Sequence, residues 1–230
     1  MEKKYLSCAE TAKLVRTALK KNFPEVKFSV RSNVYSGGAS IDVSWVLGPT
    51  TKEVDAVAGQ YESAGFDGSI DMETHYDHWL LPDGSTIVKH GPGTQGSKGY
   101  IPAIDNPMPP GAIPVTFGAH YVQCQRRYAD KWESEPILIN QVAVDMFKLQ
   151  GVTWNGPVMT TGLFDAGDTE QVNQYAWRLL NATSFAPGEV YSGVRYEKEG
   201  EDNGLSLPMV IIKQAACPQP IKAGGEISHN

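Results

Sequence analysis

The sequence predicts an α+β fold, built mainly of antiparallel sheet with an amino-terminal α-β-β-α unit and long loops rich in glycine and proline. Three observations support this class. The chain has 230 residues, of which 41% are hydrophobic and 20% charged, as is typical of globular proteins. Its 23 glycines and 15 prolines disfavour an all-helical bundle, because they favour turns. The period of the hydrophobic pattern also changes along the chain, and it predicts the individual elements.

The first predicted element is an amphipathic helix that begins after Ser7. Ser7 and Glu10 have the spacing of a capping box, in which each side chain accepts a hydrogen bond from the other residue's backbone N–H. Apolar residues then recur at intervals of three and four, with basic residues on the other side. We expect the helix to end just before Pro24, because the residue that precedes a proline avoids the α region.

Two strands and a second helix are predicted next. Residues 26–30 and 39–45 alternate apolar with polar side chains, which is the pattern of half-buried strands. Residues 36–38 contain two glycines and predict the turn between these strands. The second helix is expected after Gly48 and Pro49, which completes the α-β-β-α unit.

The central part of the chain is predicted to contain strands joined by long loops. Asp83 and Gly84 form a turn signal between a short strand and a strand at residues 86–88. Residues 90–114 contain five glycines and six prolines, so we expect a long loop that its apolar residues hold against the sheet. A strand is predicted at residues 115–124.

The carboxyl-terminal part is predicted to contain two helices and a hairpin. Residues 136–149 are apolar enough for a helix or a buried strand, and their spacing favours a helix; a second helix should run from Asp168 to Asn181. Residues 190–213 have the pattern of a hairpin. We therefore expect an α+β domain over residues 1–134, a further α+β region over residues 135–213 packed on the first, and a mobile tail over residues 214–230.

The charge and composition limit the location and the classes of ligand. Residues 1–47 carry eight basic and four acidic side chains, a net charge of +4, so the remainder carries −10 of the total of −6. No apolar stretch approaches the roughly 20 residues needed to span a bilayer, and no signal-peptide pattern is visible, so a cytoplasmic protein without a membrane partner is expected. Cys8, Cys124 and Cys217 have no paired spacing, which predicts free thiols.

Several segments of the chain, in order, resemble a known family. They are Cys8 to Arg16, Phe23 to Arg31, Tyr35 to Trp45, Gly48 to Thr50, Phe66 to Gly68, His78 to Gly84 and Phe117 to Arg127. This set is similar to a large polyvalent protein associated domain of bacteriophages, prophages and conjugative elements, over roughly residues 5–130. The resemblance implies an α+β domain that functions in conflicts between mobile elements and their hosts, and it supplies no catalytic residues.

The leading expectation from this resemblance is a non-enzymatic accessory protein in the host bacterial cytoplasm. It would bind a host protein stoichiometrically, with counter-defence of the anti-CRISPR or antirestriction type as the specific form considered. No cofactor is expected for this function. Two groups of acidic residues fit such a role: Glu197, Glu199, Glu201 and Asp202, and Asp165, Asp168 and Glu170. Residues 202–204 are also a good turn sequence, which explains part of this pattern without a partner.

A metal-dependent hydrolase or nuclease is the first alternative. His75, Asp77 and His78 lie close together in the sequence, and His90 and His120 are in reach if their strands are neighbours. Imidazole and carboxylate groups can hold Zn²⁺ or Mn²⁺ with an open position that activates water. The predicted ligand set is His75, Asp77, His78 and His120. Against it, His75 and His78 would face opposite sides of a single strand.

Nucleic-acid binding through the first helix is the second alternative. Its residues would be Lys13, Arg16, Lys20, Lys21 and Arg31, which could contact phosphates if they share one surface. The acidic remainder of the chain disfavours this function. Phe28 and Trp45 also occupy predicted core positions, whereas a base-stacking platform needs exposed aromatic residues. The glycine-rich residues 91–99 lack the order of a phosphate-binding Walker loop.

Overall fold

The computed structural model describes residues 2–96, 100–129, 135–149, 168–198 and 209–216. These ranges contain four α-helices and twelve β-strands, and most strand pairs are antiparallel. The predicted α+β class is therefore confirmed. Among the helices in these ranges, none is both long enough and apolar enough to cross a membrane.

The amino-terminal unit has the predicted α-β-β-α order, preceded by a short strand. Its elements are β1 (Lys4–Leu6), α1 (Cys8–Asn22), β2 (Ser29–Tyr35), β3 (Gly38–Val46) and α2 (Thr51–Ala58). Ser7 and Glu10 form the predicted capping box, and α1 ends two residues before Pro24. Thr50 and Glu53 cap α2 in the same way, a box that the sequence analysis did not single out.

Seven strands follow in the central part of the chain, after a short 3₁₀ turn at Gly59–Tyr61. They are β4 (Ala64–Asp67), β5 (Met72–His75), β6 (Asp77–Leu80), β7 (Thr86–Gly91), β8 (Ile104–Asp105), β9 (Ile113–Phe117) and β10 (Tyr121–Arg127). The β4–β5 hairpin was not predicted. The described part of the predicted long loop is irregular except at β8 and the strand ends, and Thr94 anchors it by donating to Asp67 at 2.8 Å.

Two larger sheets organise these strands. A five-stranded sheet has the order β1-β9-β6-β7-β8, and a three-stranded sheet has the order β10-β3-β2. The consecutive strands β9 and β10 belong to different sheets, so residues 118–120 join the two. His120 N–H donates to Ala39 O at 2.8 Å, and Gly118 N–H donates to Leu6 O at 2.7 Å. A Cβ atom at position 118 would lie 2.8 Å from Leu6 O, so glycine is required there.

The first hydrophobic cluster lies between the helices α1 and α2 and both larger sheets. Ile41, Val43 and Trp45 alternate along β3 and are buried on the face that the helices cover. The Phe28 ring packs 5.6 Å from the Trp45 ring. These two aromatic residues therefore occupy core positions, as the periodicity predicted. Cys8 and Cys124 are free cysteines, and Cys217 lies outside the described residues.

A second hydrophobic cluster is formed by the carboxyl-terminal elements. These are α3 (Glu135–Leu149), α4 (Asp168–Ala182), β11 (Glu189–Tyr196) and β12 (Met209–Ala215). The two strands form an antiparallel hairpin against the helices, close to the predicted hairpin at residues 190–213. Gln214 and Ala215 were predicted to begin a mobile tail, but they pair with Val190 and Glu189. Residues 217–230 lie outside the described ranges.

The Arg126 side chain connects the two clusters. It is 7% exposed, and its guanidinium donates to four carbonyl oxygens, those of Leu47, Gly48, Leu180 and Thr183, at 2.8 to 3.1 Å. The rings of Tyr128 and Phe185 lie 5.6 Å from its central carbon. One side chain thus fixes the end of β3 to the end of α4.

Candidate functional site

A cleft of about 440 Å³ lies where the five-stranded sheet meets the start of β10. Three of the five histidines in the sequence line it, together with a carboxylate, a lysine and two tyrosines. These residues are Lys3, Tyr5, His75, Tyr76, Asp77, His90 and His120. The cleft therefore gathers three members of the predicted metal-ligand set, His75, Asp77 and His120, together with His90.

Strand pairing brings these distant residues together. His75 ends β5, Asp77 begins β6 next to it, and Asp77 pairs with His90 of β7. His120 immediately precedes β10 and is held by its backbone bond to Ala39. The histidines at 75, 90 and 120 thus come from three elements that only the folded chain places side by side.

The carboxylate of Glu73 links the side chains at one end of the cleft. It lies 3.2 Å from His120 Nδ1 and 3.9 Å from His75 Nε2, and it accepts a hydrogen bond from the Tyr121 hydroxyl at 3.0 Å. The two imidazole rings meet edge to face at 5.4 Å between centroids. Glu73 was not among the residues predicted from the sequence. Its signal was the two-residue spacing from His75, which puts both side chains on one face of a strand.

Tyr121 is a neutral donor in this group. Burial, the hydrogen bond to Glu73 and the negative charge of that carboxylate together raise the pKa of its hydroxyl to about 12. Donation from the hydroxyl leaves Glu73 as an acceptor. Glu73 therefore orients Tyr121 by a hydrogen bond and places a carboxylate next to His120 and His75.

Asp77 is already engaged by two partners within the cleft. It accepts a hydrogen bond from Thr116 Oγ1 at 2.7 Å and pairs with Lys3 Nζ at 3.1 Å. Burial alone would raise the pKa of Asp77, but the bonds from Thr116 and Lys3 and the lysine charge outweigh it and lower the pKa. Asp77 is thus an ionised carboxylate with a cation beside it.

His78 lies apart from the other predicted metal ligands. It is 2% exposed and its ring packs 4.9 Å from the ring of Phe117 in the first cluster. Burial lowers its pKa to about 4, so the imidazole is neutral. His78 follows Asp77 on β6, and successive side chains of a strand point to opposite faces. The structure therefore brings His75, Asp77 and His120 to the cleft without His78. Nowhere in the described ranges do three His, Cys, Asp or Glu side chains have an arrangement that could hold a metal ion.

The predicted phosphate-contacting residues are divided between two surfaces. Lys13, Arg16, Lys20 and Lys21 are exposed on α1, where Arg16 donates to Val30 O at 2.7 Å and Lys21 pairs with Asp83 at 3.4 Å. Val30 faces the helices, so the next residue, Arg31, points to the other side of the sheet. Nucleic-acid binding through α1 stays a prediction, with Arg31 outside the shared surface.

Exposed aromatic residues surround the histidine end of the cleft. Tyr5 is 67% exposed, and Tyr35 and Phe66 are each 51% exposed. A Cβ atom at Gly38 would lie 3.2 Å from both the Tyr35 ring and His120 Nδ1, so glycine allows these two side chains to pack together. Phe66 pairs with Glu73 across the β4–β5 hairpin. We call the set Tyr5, Tyr35, Phe66, His75 and His120 the aromatic surface.

Comparison with known proteins gives one match. The family model described as large polyvalent protein associated domain 29 matches residues 6–129, which include α1, the three-stranded sheet and the whole cleft apart from Lys3 and Tyr5. No curated protein and no solved structure shows a significant match. The chain belongs to the large polyvalent protein associated domain 29 family, and is thus a protein associated with phages and mobile genetic elements.

Proposed function

We propose that this chain is a non-enzymatic accessory protein that works by stoichiometric binding to a host bacterial protein. The specific form is counter-defence, in which the bound protein belongs to a CRISPR or restriction system. The observation that carries the proposal is the aromatic surface. Family membership supports the setting, because these domains occur in elements that enter a host.

The composition of the aromatic surface suits protein recognition. Tyr5, Tyr35 and Phe66 are half or more exposed, although large aromatic side chains are normally buried. Aromatic residues are enriched in protein interfaces, since each covers much area while few rotatable bonds are fixed. The two histidines of the surface, together with Glu73 beside them, add hydrogen-bonding groups. The surface therefore combines apolar anchors with polar groups that can set specificity.

The histidine part of this surface has contacts within the chain before any partner arrives. Glu73 contacts His75, His120 and Tyr121, and the backbone of His120 bonds to Ala39. Side chains that are already ordered lose less conformational entropy on binding, and this favours affinity. A rigid platform of this kind fits stoichiometric binding of a folded partner.

A quantitative pull-down from a bacterial host lysate tests the proposal. The variant carries Tyr5→Ser, Tyr35→Ser and Phe66→Ser, and the matched control carries Ile137→Ser and Trp177→Ser, which change side chains of similar exposure on α3 and α4. We expect the unchanged chain to recover one host protein in near-equal molar amount. The aromatic-surface variant should recover at least about tenfold less host protein, because it loses more than one interface anchor. The control variant should recover as much host protein as the unchanged chain.

Equal recovery by all three chains would reject the aromatic surface as the binding site. Absence of any host protein in near-equal molar amount would reject stoichiometric binding itself. Thermal melting of each chain separates lost binding from lost folding, since all five substituted side chains are exposed.

A metal-dependent hydrolase or nuclease is the second candidate function. The observation behind it is the proximity of Glu73 to His75 and His120, because imidazole and carboxylate groups are the usual ligands of hydrolytic metals, and these side chains would have to rearrange to hold an ion, since no such group is formed among the described residues. Metal analysis of the purified protein tests it. Zn or Mn in stoichiometric amount, lost in His75→Ala with His120→Ala and retained in His90→Ala, would favour the enzyme. His78→Ala is unsuitable, because it would open a cavity in the core.

A further inference from the structure

The strand β2 forms one edge of the three-stranded sheet. Its outer side pairs with no other strand of the described residues. Six of its seven residues are exposed, including Val34 at 80% and Tyr35 at 51%. Its register with β3 is unbroken from Ser29 to Tyr35, so the strand has no bulge, and its sequence contains no proline. Natural edge strands usually carry such features, because a regular bare edge accepts other strands.

The opposite edge of the same sheet is covered. Val122 N–H of β10 donates to the Glu62 carboxylate at 2.7 Å, and Ala64 N–H donates to His120 O at 3.2 Å just before that strand. The segment from Glu62 to Ala64 therefore protects β10. From α1, the Arg16 side chain binds Val30 O, and the Cys8 thiol lies 4.0 Å from Asn33 O.

The turn geometry identifies the backbone groups that β2 presents. Ser36 and Gly37 form a two-residue turn between the paired residues Tyr35 and Gly38. In such a hairpin the residues that exchange hydrogen bonds alternate, starting at the pair next to the turn. Asn33 therefore bonds to β3, whereas Ser32 and Val34 direct their N–H and C=O groups outward. The bond from Arg16 to Val30 O agrees with this alternation.

The charge around β2 is positive. Lys13 and Arg16 lie on the helix that packs over one face of β2, and Lys27 precedes the strand. Arg31 is exposed on the other face, where its partner on β3 is the acidic residue Asp42. The first 47 residues carry a net charge of +4, whereas the remaining residues carry −10. An incoming strand would therefore be favoured if it carried acidic side chains.

We propose that β2 binds an extended, acidic segment of the partner protein, which adds to the three-stranded sheet as a fourth strand. The backbone groups of Ser32 and Val34 supply hydrogen bonds, Val34 supplies apolar contact, and the basic residues select acidic side chains. This inference rests on the proposed function, because it describes how one segment of the host protein is held. It adds a second contact area that continues from Tyr35 of the aromatic surface.

A synthetic peptide tests the strand addition directly. The probe has eight residues that alternate valine with glutamate, and it is mixed with the full chain for calorimetry and hydrogen exchange. We expect binding that weakens as salt is added, together with slower exchange of the amides of Ser32 and Val34. A peptide with N-methyl groups at alternate residues should bind about tenfold more weakly, since it lacks one or two backbone hydrogen bonds.

A matched pair of variants places the site on the edge of β2. Ser32→Pro removes an outward N–H that the native sheet does not use, and proline is tolerated on edge strands. Ser32→Thr retains the N–H and serves as its control. We expect peptide affinity to fall about tenfold in Ser32→Pro and to stay unchanged in Ser32→Thr.

Five outcomes would overturn the inference. The N-methylated peptide could bind as well as the unmethylated one, or a peptide with lysine in place of glutamate could bind equally. The amides of Ser32 and Val34 could be protected in the free monomer, which would mean that another segment of this chain covers the edge. Protection could instead rise with protein concentration, which would identify a second copy as the occupant. The last outcome separates the two proposals. The peptide would fail to bind, and the host protein would be captured by the Ser32→Pro variant but not by the aromatic-surface variant. The proposed function would then stand, and the strand addition would fail.

Discussion

The two hydrophobic clusters each enclose one nitrogen-rich polar side chain, but they treat it differently. His78 in the first cluster is 2% exposed, and its Nδ1 has no hydrogen-bond partner in the described part of the chain. Arg126, at the boundary with the second cluster, is 7% exposed and donates to four carbonyl oxygens. Both groups are removed from water, which would destabilise a charged side chain. His78 avoids this by being neutral, whereas Arg126 stays charged and is stabilised by hydrogen bonds.

The difference follows from the acid–base chemistry of the two side chains. An imidazole can release its proton, so burial lowers the pKa of His78 to about 4 and the group stays neutral. Burial also lowers the pKa of Arg126, but a guanidinium remains charged in proteins. Arg126 therefore needs acceptors on several sides, and the carbonyls at the ends of β3 and α4 supply them. A buried histidine fills space here, whereas the buried arginine determines how two parts of the chain meet.

The largest expected effect comes from Arg126→Leu. This change leaves four carbonyl oxygens without their charged donor, and backbone donors remain for two of them, Phe185 N–H for Gly48 O and Thr183 N–H for Leu180 O. We expect a loss of about 4 kcal/mol in the free energy of unfolding, because buried acceptors without partners are costly. Denaturant unfolding followed by hydrogen exchange measures it, and exchange should rise first in α4 and β11.

Two further variants sharpen this test. Arg126→Lys keeps the charge but cannot reach four carbonyls, so an intermediate loss is expected. Arg31→Met removes an exposed arginine and should change stability by less than about 0.5 kcal/mol. A small effect of Arg126→Leu, similar to that of Arg31→Met, would mean that the two clusters are held together by other contacts.

The next effect concerns His78 and depends on pH. The unfolded chain binds the proton at pH values below about 6.5, whereas the folded chain binds it only below about 4. The unfolded state thus holds more protons between these values, so stability falls as the pH drops from 6.5 toward 4 and then levels off. The loss amounts to about 3 kcal/mol. The free energy of unfolding, measured from pH 6.5 to pH 4, should fall by about 3 kcal/mol less in His78→Leu than in the unmodified chain.

A substitution at His75 provides the control for His78. His75 is exposed, so His75→Leu should leave the pH dependence of the unmodified chain in place. If both variants show the same pH profile, the buried imidazole does not account for the acid sensitivity.

The smallest expected effect comes from removing a neutral hydrogen bond, in contrast to the charged group at Arg126 and the titrating group at His78. Tyr61 is 1% exposed in the first cluster and donates to Gly84 O at 2.7 Å. Tyr61→Phe removes one neutral bond while the ring remains, so we expect a loss of about 1 kcal/mol. Tyr5→Phe, at a side chain that is 67% exposed, should change the unfolding midpoint little. A loss near that of Arg126→Leu would contradict the distinction between neutral and charged donors.

The sequence by itself determined the elements whose signals are local. The capping box at Ser7 and Glu10, the alternation in β3, and the repeat from Asp168 were each readable within a few residues, because helices and strands impose their periods on neighbouring side chains. The strand predicted at residues 26–30 overlaps the observed β2 only at its start, because β2 is exposed over most of its length and has no alternating pattern. The family was also recognisable from motifs in order. The β4–β5 hairpin was missed because its short strands lie in a stretch without a regular pattern.

Only the tertiary structure decided which of these residues act together. His75 and His78 are three positions apart in the chain, yet one lies at the cleft and the other in the core, because β5 ends between them and β6 turns its next side chain inward. Glu73 reaches His120 across 47 positions, and Arg126 reaches Thr183 across 57. Such contacts depend on how sheets pair and pack, and non-local pairing leaves no periodic signal in the sequence for a reader to find.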